Sequence, residues 1–252
     1  AQNATPEGGD QVLNVMTFNI QMTDEYYELN KKYMVADILN NYDVDIIGIQ
    51  EYHIEAVRDL QELMPDYSWF GVGRDDGVVG GEMGPVFYKK DSFELLEEDT
   101  FWLSEWPDVP GSKSWNTAAS RMVTWGRFRI KDTGEIFYLF NTHFDHISVE
   151  ARENSSRMLL ERSSSIAGDK PVLITGDFNF TESSDAYEIL VADTPGKVKL
   201  YDSKYRSEST PTGPARTYNG YSNPNPTRRI DYIFVNPFVG VLSNAVIDER
   251  PD

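Results

Sequence analysis

Five places in this sequence bring a polar side chain to the end of an apolar run. Val15-Met16-Thr17-Phe18 ends on Asn19, and Ile46–Gln50 ends on Glu51. Phe137–Phe140 ends in Asn141-Thr142-His143-Phe144-Asp145-His146. Val172-Leu173-Ile174-Thr175 breaks at Gly176 and delivers Asp177 and Asn179, and the run Ile230–Val235 carries Asp231. Ligands gather at strand ends, where loops diverge. Glu51, Asp177 and Asp231 supply hard oxygen ligands, and Asn19 and Asn179 neutral ones. Such a set suits magnesium or manganese, not structural zinc, which wants Cys or His in a closed tetrahedron. His143 and His146 can move protons near neutral pH. Asp177 and Asn179 are two positions apart and project to one side in extended chain, as a cation or phosphate site would need. The alternative for this pair is an Asx turn that closes the strand.

Elements to carry these residues follow from periodicity. Residues 1–10 read as a loose tail. Gln11–Ile20 and Asp45–Gln50 read as strands, the second rich in β-branched residues. Asp24–Tyr42 and Ile54–Met64 have helical spacing, the latter stopped by Pro65. Tyr67–Val72 is a short aromatic strand, and Gly73–Gly84 a glycine-rich charged loop whose Arg74-Asp75-Asp76 could line a cleft but reads rather as solvated. Pro85–Tyr88 with Phe93–Leu96 reads as a hairpin, and Phe101–Thr117 as irregular chain whose tryptophans pack at a rim. Ser120–Ile130 and Glu135–Asn141 form a second hairpin around Asp132-Thr133-Gly134. Ser148–Ile166 is the longest helix; a short one follows at Asp185–Val191, then a loop at Thr210–Thr227. Arg229–Val235 and Val239–Ile247 read as closing strands. Strands broken by helices and hairpins predict mixed sheets covered by helices, a layered α/β architecture.

Composition narrows the functions. With 252 residues, 40% hydrophobic and 13% aromatic, the chain can bury a sizeable core. It has no cysteine, so a disulfide framework, a thiolate zinc site and a cysteine nucleophile are excluded. The formal charge of −18 repels polyanions and argues against tight non-specific nucleic-acid binding. A small phosphorylated substrate is the expected partner, and a monomer the expected state. No apolar run reaches the roughly 18 residues a transmembrane helix needs. The small, polar start Ala1–Asp10 reads as the mature end of an exported protein, periplasmic or extracellular.

Asn19 after a strand, Ile49-Gln50-Glu51, Asn141–His146, Thr175–Asn179 and Arg229–Phe234 occur in this order. Each is a weak motif alone; five in order are strong. Together they resemble the endonuclease/exonuclease/phosphatase superfamily, with the pancreatic-deoxyribonuclease-like fold, over nearly the whole chain. The resemblance implies a four-layer α/β/β/α sandwich of two mixed sheets flanked by helices, an α+β fold in a single domain over residues 11–252. It implies metal-assisted phosphoester hydrolysis with Mg2+ or Mn2+. Glu51 would bind the metal with Asn19. Asp177 and Asn179 would orient the phosphate and the attacking water. His143 would protonate the leaving oxygen, oriented by Glu82, and Arg121 would contact substrate phosphate. Asp231 would pair with a second histidine, and His146 would stand at the substrate rim.

In one place the pattern departs from the family. The resemblance implies a further strand opened by Ser-Asp-His, where this sequence reads Asp248-Glu249-Arg250-Pro251-Asp252. The domain therefore reads as C-terminally incomplete, with one sheet short of that strand. Two alternatives stay beside the small-substrate phosphoesterase: a nuclease on DNA or RNA, and a non-catalytic protein that binds a phosphorylated ligand in the same cleft.

Overall fold

The computed structural model describes residues 11–20, 31–218 and 227–248. The expected N-terminal tail, the start of the first helix and the middle of the 210–227 loop lie outside them. The elements run β1 (Val15–Asn19), α1 (Lys31–Asn41), β2 (Ile46–Gln50), α2 (Ile54–Leu63), β3 (Tyr67–Phe70), β4 (Val86–Lys89), β5 (Phe93–Trp102), β6 (Met122–Ile130) and β7 (Ile136–His143). Then follow α3 (Val149–Ala167), β8 (Val172–Asp177), α4 (Asp185–Val191), β9 (Tyr201–Asp202), α5 (Ser203–Arg206) and β10 (Asp231–Val235).

Two sheets result. The smaller has the order β1-β2-β4-β3, the larger β5-β6-β7-β8-β10-β9. Both are mixed: β1 and β2 are parallel, as are β7 and β8, and the other pairings are antiparallel. Side-chain alternation sorts the residues into three apolar layers. In β2, Ile46 faces the larger sheet, while Ile47 and Ile49 pack with Leu39 of α1 and Leu60 of α2. In β7, Phe137 and Leu139 face the smaller sheet, while Tyr138 and Phe140 pack with Leu159 and Leu160 of α3. The order is helix, sheet, sheet, helix. No helix among the described residues is long and apolar enough to cross a membrane.

Three expectations are corrected. Pro85–Tyr88 and Phe93–Leu96 are not a hairpin: β4 belongs to the smaller sheet and β5 to the larger. Tyr88 and Phe93 both bury in the layer between the sheets, so the chain crosses from one to the other between them. The strand β5 continues to Trp102, into a stretch expected to be irregular. Val239–Ile247 is not a strand; it makes only isolated bridges, Val241 with Ser207 and Ala245 with Thr212. Val239 and Val241 pack at the edge of the layer between the sheets, while Leu242 stays exposed, and no continuous strand pairing forms.

The sheets come closest at Gly48. A Cβ there would stand 2.2 Å from Thr175 Oγ1 and 2.3 Å from Asn141 Oδ1. Those atoms belong to a buried polar network in which Asn141 Oδ1 accepts from Gln50 Nε2 (2.7 Å) and Thr175 Oγ1 (3.1 Å). Asn141 Nδ2 donates to the Ile49 carbonyl at 2.8 Å. Gly48→Ala is expected to cost about 2–3 kcal/mol, through overpacking and a lost buried hydrogen bond. Thermal unfolding should show a fall of roughly 5–10 °C. An unchanged midpoint would mean that the sheets can part there at no cost.

Candidate active site

The strand pairings bring the chemistry-bearing residues to one end of the sandwich. In the larger sheet His143, Asp177 and Asp231 lie side by side, because His143 pairs with Asp177 across β7 and β8, and Asp231 with Asp177 across β8 and β10. In the smaller sheet Asn19 ends β1 opposite Gln50, and Glu51 follows. Glu51 has φ +59°, a left-handed conformation that costs a non-glycine residue about 1 kcal/mol or more. Such strain is typical of residues aimed into a site. Asn19 joins the sheets: its Nδ2 donates to Glu51 Oε1 at 2.8 Å and to Asp177 Oδ2 at 2.9 Å. His143 Nε2 stands 3.9 Å from each of these carboxylates.

Asp177 and Asn179 satisfy both readings offered for them. Asp177 Oδ1 accepts from the Asn179 amide at 2.9 Å, which is the Asx turn, with Asn179 at φ +51°. The turn leaves Asp177 Oδ2 facing Asn19 and His143. Asn179 Nδ2 donates to the Phe144 carbonyl at 3.0 Å, tying the ends of β7 and β8 together.

Charge is divided across the cleft. One wall carries Glu51, Asp177 and Asp231. Burial, then Asp231 and Glu51, push Asp177 well above the usual carboxylate range. Burial, with Glu51 adding, raises Asp231 from 3.8 to about 6. The other wall carries Arg121 and Arg74. Arg121 is only 5% exposed; its Nη2 bonds His146 Nδ1 at 3.1 Å, and its Nε lies 3.7 Å from Asp145 Oδ1. Burial, then Arg74, lower its pKa. His143 lies between the walls, and burial, then Arg121 and Arg74, hold it well below 6.5, so it is neutral at pH 7.

The carboxylate wall fits a hard divalent cation. Its donors are carboxylate oxygens, and the cost of crowding the carboxylates is what a cation would remove. Among the described residues no three Asp, Glu or His side chains converge at metal distance. Mg2+ needs no such cage, since it is usually held by one or two carboxylates and keeps several waters.

The crowding sets a pH dependence for the metal-free protein. Asp231 has a folded pKa near 6 against an ordinary 3.8. The unfolded chain ionises first, so this stability is present below about pH 4, falls as pH rises towards 6, and stays lost above. Asp231→Asn is expected to stabilise chelated protein at pH 7.5, by about 3 kcal/mol at most, seen as a higher thermal midpoint. The gain should vanish near pH 4. A gain that is equal at both pH values would refute the assignment.

All nine predicted residues meet in this cleft: Asn19, Glu51, Glu82, Arg121, His143, His146, Asp177, Asn179 and Asp231 line it. Two have partners other than those implied. Glu82 Oε2 accepts from Arg74 Nη1 at 2.5 Å, and among the described residues no hydrogen bond joins Glu82 to His143. His146 is exposed and holds Arg121. Four contributors had no site role assigned to them. Asp145 is buried and accepts from the amides of Ala118, Ile147 and Ser148 at 2.7–2.9 Å, which hold its pKa low against burial. Asn141 anchors the sheets beneath the site. Arg74 lines the cleft on a loop expected to be solvated; the only hint was its place beside Glu82 in one glycine-rich segment. Arg229 steadies the approach to Asp231 by a two-pronged pair with Asp202 (2.5 and 2.8 Å) and a bond to Glu182 (2.8 Å).

Known proteins share this architecture. A structure of an endonuclease/exonuclease/phosphatase from Bacteroides vulgatus is 37% identical, with a TM-score of 0.85, over 92% of this chain and 91% of that one. The mannosyl-6-phosphatase from Bacteroides thetaiotaomicron is 33% identical, with a TM-score of 0.87, over 94% and 90%. Nocturnin from Drosophila melanogaster is 26% identical over 166 residues, 61% of this chain. The curated relatives are longer, and the aligned parts span between 24% and 65% of their lengths. The family model described as Endonuclease/Exonuclease/phosphatase family matches residues 16–252, and the chain belongs to that family.

Proposed function

We propose that this protein is a divalent-metal-dependent phosphoesterase acting on a small phosphomonoester, such as a sugar phosphate. The observation that carries the proposal is the Asn19 amide bonded to both Glu51 and Asp177, with His143 3.9 Å from each. No packing need explains one amide serving two carboxylates beside a neutral histidine. The identity of 33% to a mannosyl-6-phosphatase supports the substrate class, as does the charge of −18.

Glu51, with Asn19 and Asp177, would hold the cation. Bound there, Mg2+ or Mn2+ would neutralise charge on the phosphoryl oxygens and favour ionisation of the attacking water. Arg121 would take a second phosphoryl oxygen, held in place by His146 and Asp145. Asp231, beside Asp177 on the neighbouring strand, would accept the proton of the water. Asn179 would fix the Asp177 turn. His143 would serve the leaving oxygen. Burial, and then the two guanidiniums that face it, keep it neutral; a bound phosphate would offset the guanidiniums and raise its proton affinity.

The test is a panel of p-nitrophenyl phosphate, bis-p-nitrophenyl phosphate, mannose 6-phosphate and plasmid DNA, given to the full-length protein with manganese. Preferential turnover of the monoesters is expected. Nicked plasmid with idle monoesters would replace the reading with a nuclease. No turnover of any substrate would leave a phospho-ligand binder.

A further inference from the structure

We propose that Arg74 is a specificity-determining residue: with Arg121 it forms a two-guanidinium seat for the doubly charged phosphate of a monoester, and Glu82 is the counter-ion that holds it ready. The proposal rests on the phosphoesterase reading and adds what selects the substrate.

Position comes first. Arg74, Glu82, Arg121, His143 and Glu51 surround a recess of about 20 Å3 that opens into the main cleft. A recess of that size holds one water-sized group, such as a phosphate oxygen. Arg74 sits on a pinned loop, although the segment 73–84 is rich in glycine. Its carbonyl accepts from Trp102 Nε1 at 2.7 Å and Ser120 Oγ at 3.2 Å, and its amide bonds the Glu82 carbonyl at 3.0 Å. Asp76 Oδ1 accepts from the amides of Val78 and Gly80, both at 2.8 Å. Gly111 fits only because it lacks a side chain: a Cβ would stand 2.4 Å from the Asp75 carbonyl. The guanidinium is therefore placed in advance, its side chain 18% exposed.

The donors are only partly used. Glu82 engages Nη1 of Arg74, and Asp75 lies 3.8 Å from its Nε. Arg121 spends Nη2 on His146. Among the described residues nothing accepts from Arg74 Nη2 or Arg121 Nη1, and both Nε atoms are buried without a hydrogen bond. Two guanidiniums that line one recess repel each other; burial first, and then Arg74, lower the pKa of Arg121. Their forks match phosphate oxygens, and an anion between them removes the repulsion.

This geometry selects by charge. A monoester phosphate carries close to two charges at neutral pH and three non-bridging oxygens. A diester carries one charge and two such oxygens. With one oxygen at the cation and one at Arg121, only a monoester has another for Arg74.

The test compares wild type, Arg74→Ala and Arg74→Lys on p-nitrophenyl phosphate and bis-p-nitrophenyl phosphate at fixed manganese, with inorganic phosphate binding measured by calorimetry. For Arg74→Ala, kcat/KM on the monoester should fall about 30-fold, mostly through KM, as loss of a charge-assisted hydrogen bond implies. Both rates should fall, the diester's far less, so that the monoester preference drops about 10-fold. Phosphate affinity should weaken about 10-fold or more. Arg74→Lys keeps a charge beside Glu82 and should restore part of each loss; it also serves if the alanine variant fails to fold. Equal losses on both esters, or unchanged phosphate affinity, would overturn the proposal. If the wild type turned over neither ester, the phosphoesterase reading would fail, and phosphate calorimetry would still decide whether Arg74 seats the anion.

Discussion

Replacing Glu51 with alanine is expected to lower kcat/KM on a phosphomonoester by about 1,000-fold or more, as loss of the principal carboxylate at a metal site should. The fold should survive. Glu51 follows β2, outside the strand itself, and lines the cleft beside Asn19, His143 and Asp177. Its strongest contact is the 2.8 Å bond from Asn19, which keeps Asp177 as a second acceptor. Removing it also removes a charge that raises the pKa of both Asp177 and Asp231. The chelated variant should therefore unfold no earlier than chelated wild type at pH 7. Steady-state kinetics paired with thermal unfolding check this. An active Glu51→Ala protein would place the cation elsewhere; an inactive and destabilised one would make Glu51 structural, and Glu51→Gln separates the two.

The second large effect is expected at His143. His143→Gln should lower kcat by about 100- to 10,000-fold, the range of general acid–base contributions, with KM changed little. The loss should depend on the leaving group. p-Nitrophenolate leaves easily without a proton, whereas a sugar alkoxide does not. The variant should thus lose far more on mannose 6-phosphate than on p-nitrophenyl phosphate. Equal losses would mean that His143 positions substrate and donates no proton. Its neutrality in the protein alone adds a condition. The charges responsible, after burial, are Arg121 and Arg74, so Arg74→Ala should shift the pH profile of kcat/KM towards higher pH on its acid-linked limb.

Much of this site was legible because its residues terminate core strands. Apolar runs that stop at Asn19, Glu51, His143 and Asp177 mark both the strands and the end at which they open. What stayed hidden were relations between distant segments. Alternation shows that Pro85–Tyr88 and Phe93–Leu96 are strands, but not that they belong to different sheets, since that choice is made by how Tyr88 and Phe93 bury. Val239–Ile247 has the pattern of a strand, but it meets its neighbours only through isolated bridges, so long-range packing overrides local preference there. Arg74 was read as solvated because glycine and charge dominate its segment. It is fixed instead by Trp102 and Ser120, far along the chain, which no local pattern announces. Glu82 was given to His143 by resemblance, and in this fold its carboxylate meets Arg74.

The most direct measurement is phosphate release from a monoester by the full-length protein, first stripped with chelator and then titrated with manganese or magnesium. The account predicts no release when stripped and a saturable return of activity with added metal, absent from Glu51→Ala at every concentration. Release that survives the chelator, or that metal restores equally in Glu51→Ala, would contradict it.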